Sequence, residues 1–233
     1  MSLRPSSVVK REAIIDAAIA AFLERGYDSV TMDAIAEASS VSKQTVYAHF
    51  RNKEALFVGL VETMTRSAGD RVHLEHPRAT SHAELRAVLR DTLRRQLDIV
   101  LTPPLLRLRR LVIGEHTRFP SLGKALAEEG PQRAIRNLGS MLADAHTDGL
   151  LHVPNPTVAA TQLNWLVMGG PINDAMLIGD DTIPTPRQRT SHLDRCLDLF
   201  LAGYAPRDDP ASRPDPQPTP SATRRRRPEG APR

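Results

Sequence analysis

The sequence has little of what holds secreted or membrane proteins together. It contains one cysteine, Cys196, among 233 residues, so an internal disulfide is excluded and a reducing compartment is expected. No stretch approaches the ~20 consecutive apolar residues of a membrane-spanning helix, and the N-terminus lacks the apolar core of a signal peptide. We therefore expect a cytoplasmic protein with no membrane partner, in which Cys196 is a small buried apolar residue rather than a redox sensor.

Aromatic residues are also scarce, at 4% of the chain, whereas 40% of the residues are hydrophobic. Alanine and leucine supply much of that apolar content, which favours packed helices over sheets. The length suffices for one or two domains with a substantial core. These features predict an all-α fold.

The formal net charge of +4 is unevenly distributed. Residues 205–233 carry seven arginines and four acids, together with eight of the nineteen prolines. This segment cannot form a core and is expected to be a disordered tail. The run Arg224–Arg227 either adds non-specific, salt-sensitive affinity for DNA or only aids solubility. The rest of the chain is nearly neutral, so specific DNA binding would depend on a local basic patch.

The stretch Thr31–Phe50, TMDAIAEASSVSKQTVYAHF, predicts two short helices with a tight break between them. The first is expected at Asp33–Ala38, with Thr31 capping its first turn, and the second at Lys43–Phe50, with Ser42 as its cap. This layout is that of a helix-turn-helix, whose second helix enters the major groove of DNA.

The second helix has two distinct faces at 100° per residue. Val46 and Phe50 fall on one face and are expected to pack against the preceding helix. The opposite face carries a cation, an amide, a phenol and a small residue: Lys43, Gln44, Tyr47 and Ala48. Glutamine can pair with adenine, lysine with guanine or phosphate, and tyrosine with phosphate. His49, at the flank, either caps its own helix or contacts a phosphate.

The run VSKQTVYAHFRNKEALF, residues 41–57, resembles the recognition helix and following helix of the TetR family of bacterial transcription regulators. The resemblance implies a three-helix DNA-binding head, and it implies that Lys53 lies against the DNA backbone. Ser40 departs from the glycine usual in the family, at a position expected to need positive φ, with a cost of about 1 kcal/mol. The candidate DNA-contacting residues are Thr31, Ser42, Lys43, Gln44, Thr45, Tyr47, His49 and Lys53.

Four segments follow from the pattern: a flexible arm at 1–7, the helix-turn-helix domain at 8–52, a linker helix with the C-terminal domain at 53–204, and the tail at 205–233. The arm is expected to be disordered, with minor-groove contact as the alternative. The linker helix is expected at 53–73. In the C-terminal domain, Gly169-Gly170-Pro171 is expected to break or kink one helix after Met168. The last helix is expected at 186–204, with an apolar stripe of Leu193, Cys196, Leu197 and Phe200.

The segment RLVIGEHTRFPSL, residues 110–122, resembles the ligand-binding region of the AefR-like regulators, a TetR subgroup. The effector is expected to be small and partly apolar, held among the helices at 103–118, 131–147 and 157–178. Glu115 either pairs with Arg118 at i+3 or lines this pocket. The candidate pocket residues are Leu108, Val112, Glu115, Met141, Asn164, Trp165 and Met168.

These features together predict a DNA-binding transcriptional regulator, a dimeric repressor released from a palindromic operator by its effector. The resemblance implies that the last two helices form the dimer interface, and two heads on a two-fold axis would read a palindrome. The alternative is an effector-independent or architectural DNA-binding protein, which would lack a sizeable cavity. No nucleophile–base set, phosphate loop or dense metal cluster indicates an enzyme or a cofactor. His73, His76 and His82 could at most supply metal ligands, and a solvated loop is the simpler interpretation.

Overall fold

The computed structural model describes residues 5–72 and 78–206. Within these ranges the chain forms ten α-helices, one 3₁₀ turn and no strand, which confirms the all-α prediction. The helices are α1 (Pro5–Arg25), α2 (Met32–Ala38), α3 (Lys43–His49), α4 (Lys53–Val72), α5 (His82–Val100), α6 (Pro103–Glu115), α7 (Pro120–Glu129), α8 (Pro131–Thr147), α9 (Pro156–Leu177) and α10 (Pro186–Gly203).

The N-terminal head consists of α1, α2 and α3. Ile14, Ile15, Ala18 and Phe22 recur at helical spacing on α1 and are buried, so that one face of α1 covers the helix-turn-helix. Gly26 ends α1 with a φ of +77°, a conformation that glycine adopts without steric cost. The buried face of α1 thus helps to hold the three helices of the head together.

Two predicted helix boundaries are wrong. Helix α1 begins at Pro5, inside the segment predicted as a flexible arm, because proline suits a first helical turn, where no N–H partner is required. The predicted arm at 1–7 thus loses residues 5–7 to the helix, and residues 1–4 lie outside the described ranges. Helix α6 ends at Glu115 rather than Arg118, and the chain turns there before α7.

Of the break or kink predicted at Gly169-Gly170-Pro171, the break is wrong, because α9 runs without interruption from Pro156 to Leu177. Pro171 cannot donate the usual hydrogen bond to the carbonyl of Val167, four residues earlier. That carbonyl instead lies 2.9 Å from Nε2 of His192 on α10. A side chain from a distant part of the sequence thus replaces the missing backbone donor.

The core has two parts. One part joins α5, α8, α9 and α10, and it contains the predicted stripe Leu193, Cys196, Leu197 and Phe200. The other part joins the head to α4, α6 and α7. The predicted boundary between residues 52 and 53 therefore cuts through a shared core, because the apolar faces of α6 and α7 pack on the head. No helix in the described ranges is both long and apolar enough to cross a membrane.

Candidate DNA-binding surface and ligand cavity

The turn between α2 and α3 has the geometry that the sequence predicts. Ser40 has a φ of +54°, and no other non-glycine residue in the described ranges has a positive φ. Thr31 accepts a hydrogen bond from the Ala34 amide at 3.1 Å, and Ser42 accepts one from the Thr45 amide at 3.3 Å. These two caps fix where α2 and α3 begin, and hence which face of α3 points outward.

The outward face of α3 carries the predicted polar side chains. Gln44 is exposed, and Tyr47 is 50% exposed. Val46 and Phe50 are buried beneath them. Lys43 is exposed but pairs with Asp33 at 2.5 Å, so its ammonium group is held at the junction of α2 and α3. An outward amide and phenol on a helix with a buried opposite face can approach base edges and phosphates.

The remaining candidates on α3 lie at its edges. The hydroxyl groups of Ser42 and Thr45 are 2.8 Å apart, so both are partly engaged in the capping turn. His49 is partly buried, and its ring centroid lies 6.5 Å from that of Phe50. The structure thus gathers the α3 candidates and Thr31 around one end of the head.

Lys53 differs from the other candidates because it already has partners within the protein. Its ammonium group lies 4.3 Å from the centroid of the Tyr27 ring and donates a hydrogen bond to the Asp28 carbonyl at 3.3 Å. Burial lowers the pKa of Lys53, with Asp28 acting in the opposite direction. A phosphate contact would require this side chain to leave the aromatic ring.

Sequence reasoning missed a second basic group beside the recognition helix. The guanidinium group of Arg11, on α1, lies 5.3 Å from the centroid of the Phe50 ring. Arg11 and His49 line one surface groove together with Asn52, which caps α4 through a 2.8 Å bond to the Ala55 amide. The pair Lys10-Arg11 is visible in the sequence, but only the packing of α1 on α3 brings Arg11 to this place.

A cavity lies between the two parts of the core. It encloses about 700 Å³ of empty space, part of it open to solvent. Helices α4 to α9 all contribute to its wall. The structure brings three of the predicted pocket residues to this cavity: Asn164, Trp165 and Met168. It adds residues that the prediction lacked, among them Thr65, Gln96, Leu105 and Arg109.

Three other candidate pocket residues, all on α6, do not line this cavity. Leu108 and Val112 are buried in the core that α6 shares with the head, whereas Leu105 and Arg109 form the adjacent face that lines the cavity. Glu115 pairs with Arg118 at 3.8 Å, which is the alternative considered from the sequence. Periodicity identifies the apolar side of α6, but it does not show whether that side packs on the head or lines the cavity.

Met141 does not line this cavity either. It lines a separate depression between α5 and α8 with Leu85 and Val88. Pro131 and Ala134 are the residues of α8 that line the cavity, and seven residues of helix place Met141 about 10 Å beyond Ala134. No group of three or more metal-ligating side chains occurs within the described residues. His73, His76 and tail residues 207–233, including Arg224–Arg227, lie outside them.

Helix α4 connects the cavity to the head. Its N-terminal half contributes Leu56, Phe57, Leu60 and Val61 to the head core. Its C-terminal half contributes Thr65, Ala68, Gly69 and Val72 to the cavity wall. A β-carbon added at Gly59 would lie 3.0 Å from Phe50 Cε1 at the end of α3, so α4 and the recognition helix are in close contact.

The aromatic side chains form a second link between the head and the C-terminal domain. Tyr27 contacts Phe22, Phe57 and Phe119, with ring centroids 4.8–5.7 Å apart. Arg118 forms a 2.6 Å ion pair with Asp28. The hydrogen bond from Arg118 lowers the pKa of the Asp28 carboxyl. The turn after α6 is thereby held against the end of α1.

Comparisons with known proteins agree with this arrangement. A model of bacterial regulatory proteins of the tetR family matches residues 14–60. A model of the AefR-like transcriptional repressor C-terminal domain matches residues 87–206. The two models thus cover the DNA-binding head and most of the C-terminal domain separately.

Solved structures are similar over nearly the whole chain. A TetR-family transcriptional regulator from Mesorhizobium loti MAFF303099 is 32% identical with a TM-score of 0.77, and the similarity covers 87% of this chain and 100% of that one. The flavonoid-responsive regulator FrrA is 32% identical with a TM-score of 0.71, over 85% of this chain and 98% of that one.

Among curated proteins, the negative transcriptional regulator IcaR of the biofilm operon icaADBC, from Staphylococcus epidermidis, is 40% identical over 52 residues. That match covers 22% of this chain and 28% of IcaR. The chain spans only a quarter to a third of the length of the curated relatives it matches. The family models and the full-length structural similarity decide the classification, and the chain belongs to the TetR family of DNA-binding transcriptional regulators, with an AefR-like C-terminal domain.

Proposed function

We propose that this protein is a dimeric repressor that binds a palindromic operator and is released from it by a small, partly apolar effector. The observation that carries the proposal is the position of α4, which forms part of the cavity wall at one end and packs on the recognition helix at the other. Ligand binding in the cavity would thereby be coupled, through α4, to the orientation of the DNA-binding head.

DNA recognition rests on the exposed face of α3. Gln44 and Tyr47 reach furthest from the head, while Ser42 and Thr45 lie at the start of the helix. Lys43 and the partly buried His49 add basic groups at either side. Lys53 would join them by exchanging the Tyr27 ring for a phosphate. These groups suit both base edges and the backbone.

Dimerisation rests on the apolar residues that α9 and α10 leave exposed. Leu177 is 77% exposed and Leu199 is 66% exposed. Val158, Trp165 and Leu166 add to the same helix pair. Several exposed apolar side chains on two adjacent helices are typical of a protein–protein interface. An isologous pairing of this surface would build a four-helix bundle and present two heads to a palindrome.

The effector would act by shifting the dimer between two conformations that differ in the distance between the two DNA-binding heads. About ten residues, or roughly 15 Å of helix, separate Gly59 at the head from Gly69 at the cavity. A ligand that moves the C-terminal end of α4 would therefore change the angle at which Phe50 and α3 are held. The similar structure of a regulator named as flavonoid-responsive supports a small-molecule effector. The cavity itself disfavours the effector-independent alternative.

The DNA-binding part is tested by selection from a random duplex library, followed by affinity measurements on the selected site across a salt series. We expect a palindromic consensus, which Tyr47→Ala weakens at least tenfold. Lys43→Ala should weaken binding and reduce the salt dependence. Arg107→Ala, which removes an exposed cation from α6, is the matched control and should bind like wild type. A non-palindromic consensus, or equal binding of scrambled DNA, would contradict this proposal.

The oligomeric state is tested by sedimentation of wild type and Leu199→Glu. We expect a dimer that the charged variant dissociates, whereas Val9→Glu, at an exposed apolar position on α1, should remain dimeric. The coupling is tested with Ala134→Phe, which fills the cavity from α8. This variant should bind the operator normally and should no longer be released by small molecules that release wild type.

A further inference from the structure

We propose that the cavity binds an apolar monoanion whose charged oxygen pairs with Arg109. This inference deepens the proposed function, because it names the chemical class of the effector. It rests on the polar groups inside the cavity, which lack partners in the described residues.

Arg109 is the cationic side chain in the cavity wall, and it has no hydrogen bond or ion pair within the described residues. Its helix neighbours differ in this respect. Arg110 donates to Asp180 Oδ1 and to the Ala175 carbonyl, both at 2.6 Å. Arg107 is exposed to water. Burial lowers the pKa of Arg109, and no carboxylate opposes this effect. An arginine facing a cavity without a counter-ion is a ready partner for an anionic ligand.

Glu129 is the acidic side chain of the cavity wall, and its charge is already compensated. Arg66 Nη2 lies 3.2 Å from Glu129 Oε1, and Arg133 Nη1 lies 4.0 Å from Oε2. Glu129 therefore does not neutralise Arg109, and it does not make the cavity suitable for a cation.

Two further polar atoms point to a ligand. Gln96 is 5% exposed, and its amide nitrogen donates to Asn164 Oδ1 at 2.8 Å. Gln96 Oε1 and Thr65 Oγ1 are buried, and neither has a hydrogen-bond partner among residues 5–72 and 78–206. Buried polar atoms are nearly always paired in folded proteins. Unpaired atoms beside an unpaired cation, all in one cavity wall, indicate a place for a polar ligand group.

The remaining wall is apolar and defines the rest of the ligand. Val72, Ile99, Val100, Leu105, Leu126, Met168 and Ile172 line the cavity. A hydrocarbon or ring body would lie against these side chains, with its carboxylate or phenolate oxygen at Arg109.

The protein carries its own reporter for this test. Trp165 is the single tryptophan of the chain and lines the cavity, so its fluorescence responds directly to an occupant. Decanoate, decanol and decylamine share one apolar chain and differ in charge. The three probes are titrated into DNA-free wild-type protein, Arg109→Gln and the matched control Arg107→Gln.

We expect wild type and Arg107→Gln to bind decanoate at least tenfold more tightly than decanol, because a charge-assisted hydrogen bond to Arg109 is stronger than a neutral one. Decylamine should bind most weakly, because its ammonium group and Arg109 repel each other. Arg109→Gln should lose the preference for the anion while its affinity for decanol stays within about threefold of wild type. Retained decanol binding would also show that the variant is folded. Equal binding of decanoate and decanol by wild type, an anion preference that survives in Arg109→Gln, or no response to any probe would overturn the inference.

A separate measurement distinguishes this inference from the proposed function. Decanoate is added to the wild-type protein on its selected operator. Arg109-dependent binding to free protein without release of DNA would support the anion site and contradict release by this ligand class. Release that is equal for decanoate and decanol would support the effector mechanism and contradict the anion site.

Discussion

The Nε2 atom of His192 lies 2.9 Å from the carbonyl oxygen of Val167, the residue four positions before Pro171. Since a carbonyl can only accept, Nε2 carries the hydrogen atom. One helix turn further on, Cys196 Sγ lies 3.4 Å from the Leu166 carbonyl. Helix α10 thus supports α9 at the point where proline removes a backbone hydrogen bond.

Replacing His192 by alanine should therefore destabilise the protein by about 1–3 kcal/mol, because the Val167 carbonyl is left buried without a donor. In a Pro171→Ala background the alanine N–H can serve this carbonyl, so the same His192→Ala change should cost less. The two free-energy differences are measured by urea unfolding in a double-mutant cycle. Equal costs in both backgrounds would mean that His192 acts through packing alone.

The turn before the recognition helix gives a second prediction. Ser40 has a φ of +54°, so Ser40→Gly should stabilise the protein by up to about 1 kcal/mol. The adjacent Ser39 has a φ of −84° and donates its hydroxyl to the Ile35 carbonyl at 2.7 Å. Ser39→Gly should therefore destabilise. Opposite shifts in the unfolding midpoint would establish the backbone origin of the effect, and shifts of the same sign would refute it.

Local signals account for what the sequence predicts well. The caps Thr31, Ser42 and Asn52 and the positive φ of Ser40 are properties of a few adjacent residues. The faces of α3 follow from its periodicity and from burial of Val46 and Phe50. The outward face of α3, which carries the DNA-binding candidates, could therefore be predicted without tertiary information. The position of Arg11 beside this helix could not, because it depends on the packing of α1.

Tertiary contacts account for what the sequence could not predict. The Gly169-Gly170-Pro171 pattern is that of a break, and only His192 on α10 explains why α9 continues. Leu108 and Val112 are apolar residues in a ligand-domain helix, but α6 turns them toward the head. The cavity depends on the packing of six helices, so its polar residues, including Arg109, carry no signal in their own segment.

The ion pairs between α5 and α10 make stability depend on pH. Asp194 receives hydrogen bonds from Arg90 at 2.6 and 3.1 Å, and chiefly for this reason its pKa is lowered. A lowered native pKa stabilises the fold above the ordinary carboxyl pKa, and this contribution is lost as the pH falls through the native value. Asp194→Asn should therefore be less stable than wild type near neutral pH.

This stability difference should shrink as the pH falls below about 4. Thermal unfolding at a series of pH values measures it. Asp16→Asn removes an exposed carboxylate of α1 that has no ion pair in the described residues, and it should differ little from wild type throughout. A difference between wild type and Asp194→Asn that is independent of pH would show that the charge of Asp194 is not responsible.

Three arginines on α6 provide the last prediction, which concerns the protein without ligand. Arg109 is desolvated and has no counter-ion in the described residues, Arg110 is paired with Asp180, and Arg107 is exposed. A buried charge without a partner is destabilising. Arg109→Met, which keeps an unbranched side chain, should therefore stabilise the protein by about 1 kcal/mol and raise its Tm by roughly 2–4 °C.

The same substitution at the other two positions should act differently. Arg110→Met should lower the Tm, because it removes the hydrogen bonds to Asp180 and to the Ala175 carbonyl. Arg107→Met should stay within about 0.5 kcal/mol of wild type, as surface changes usually do. A ligand-free protein that gains stability when a cavity arginine is removed has retained that residue for binding rather than for folding. A lower Tm for Arg109→Met would instead mean that Arg109 stabilises the fold, and the unpaired guanidinium would no longer indicate an anion site.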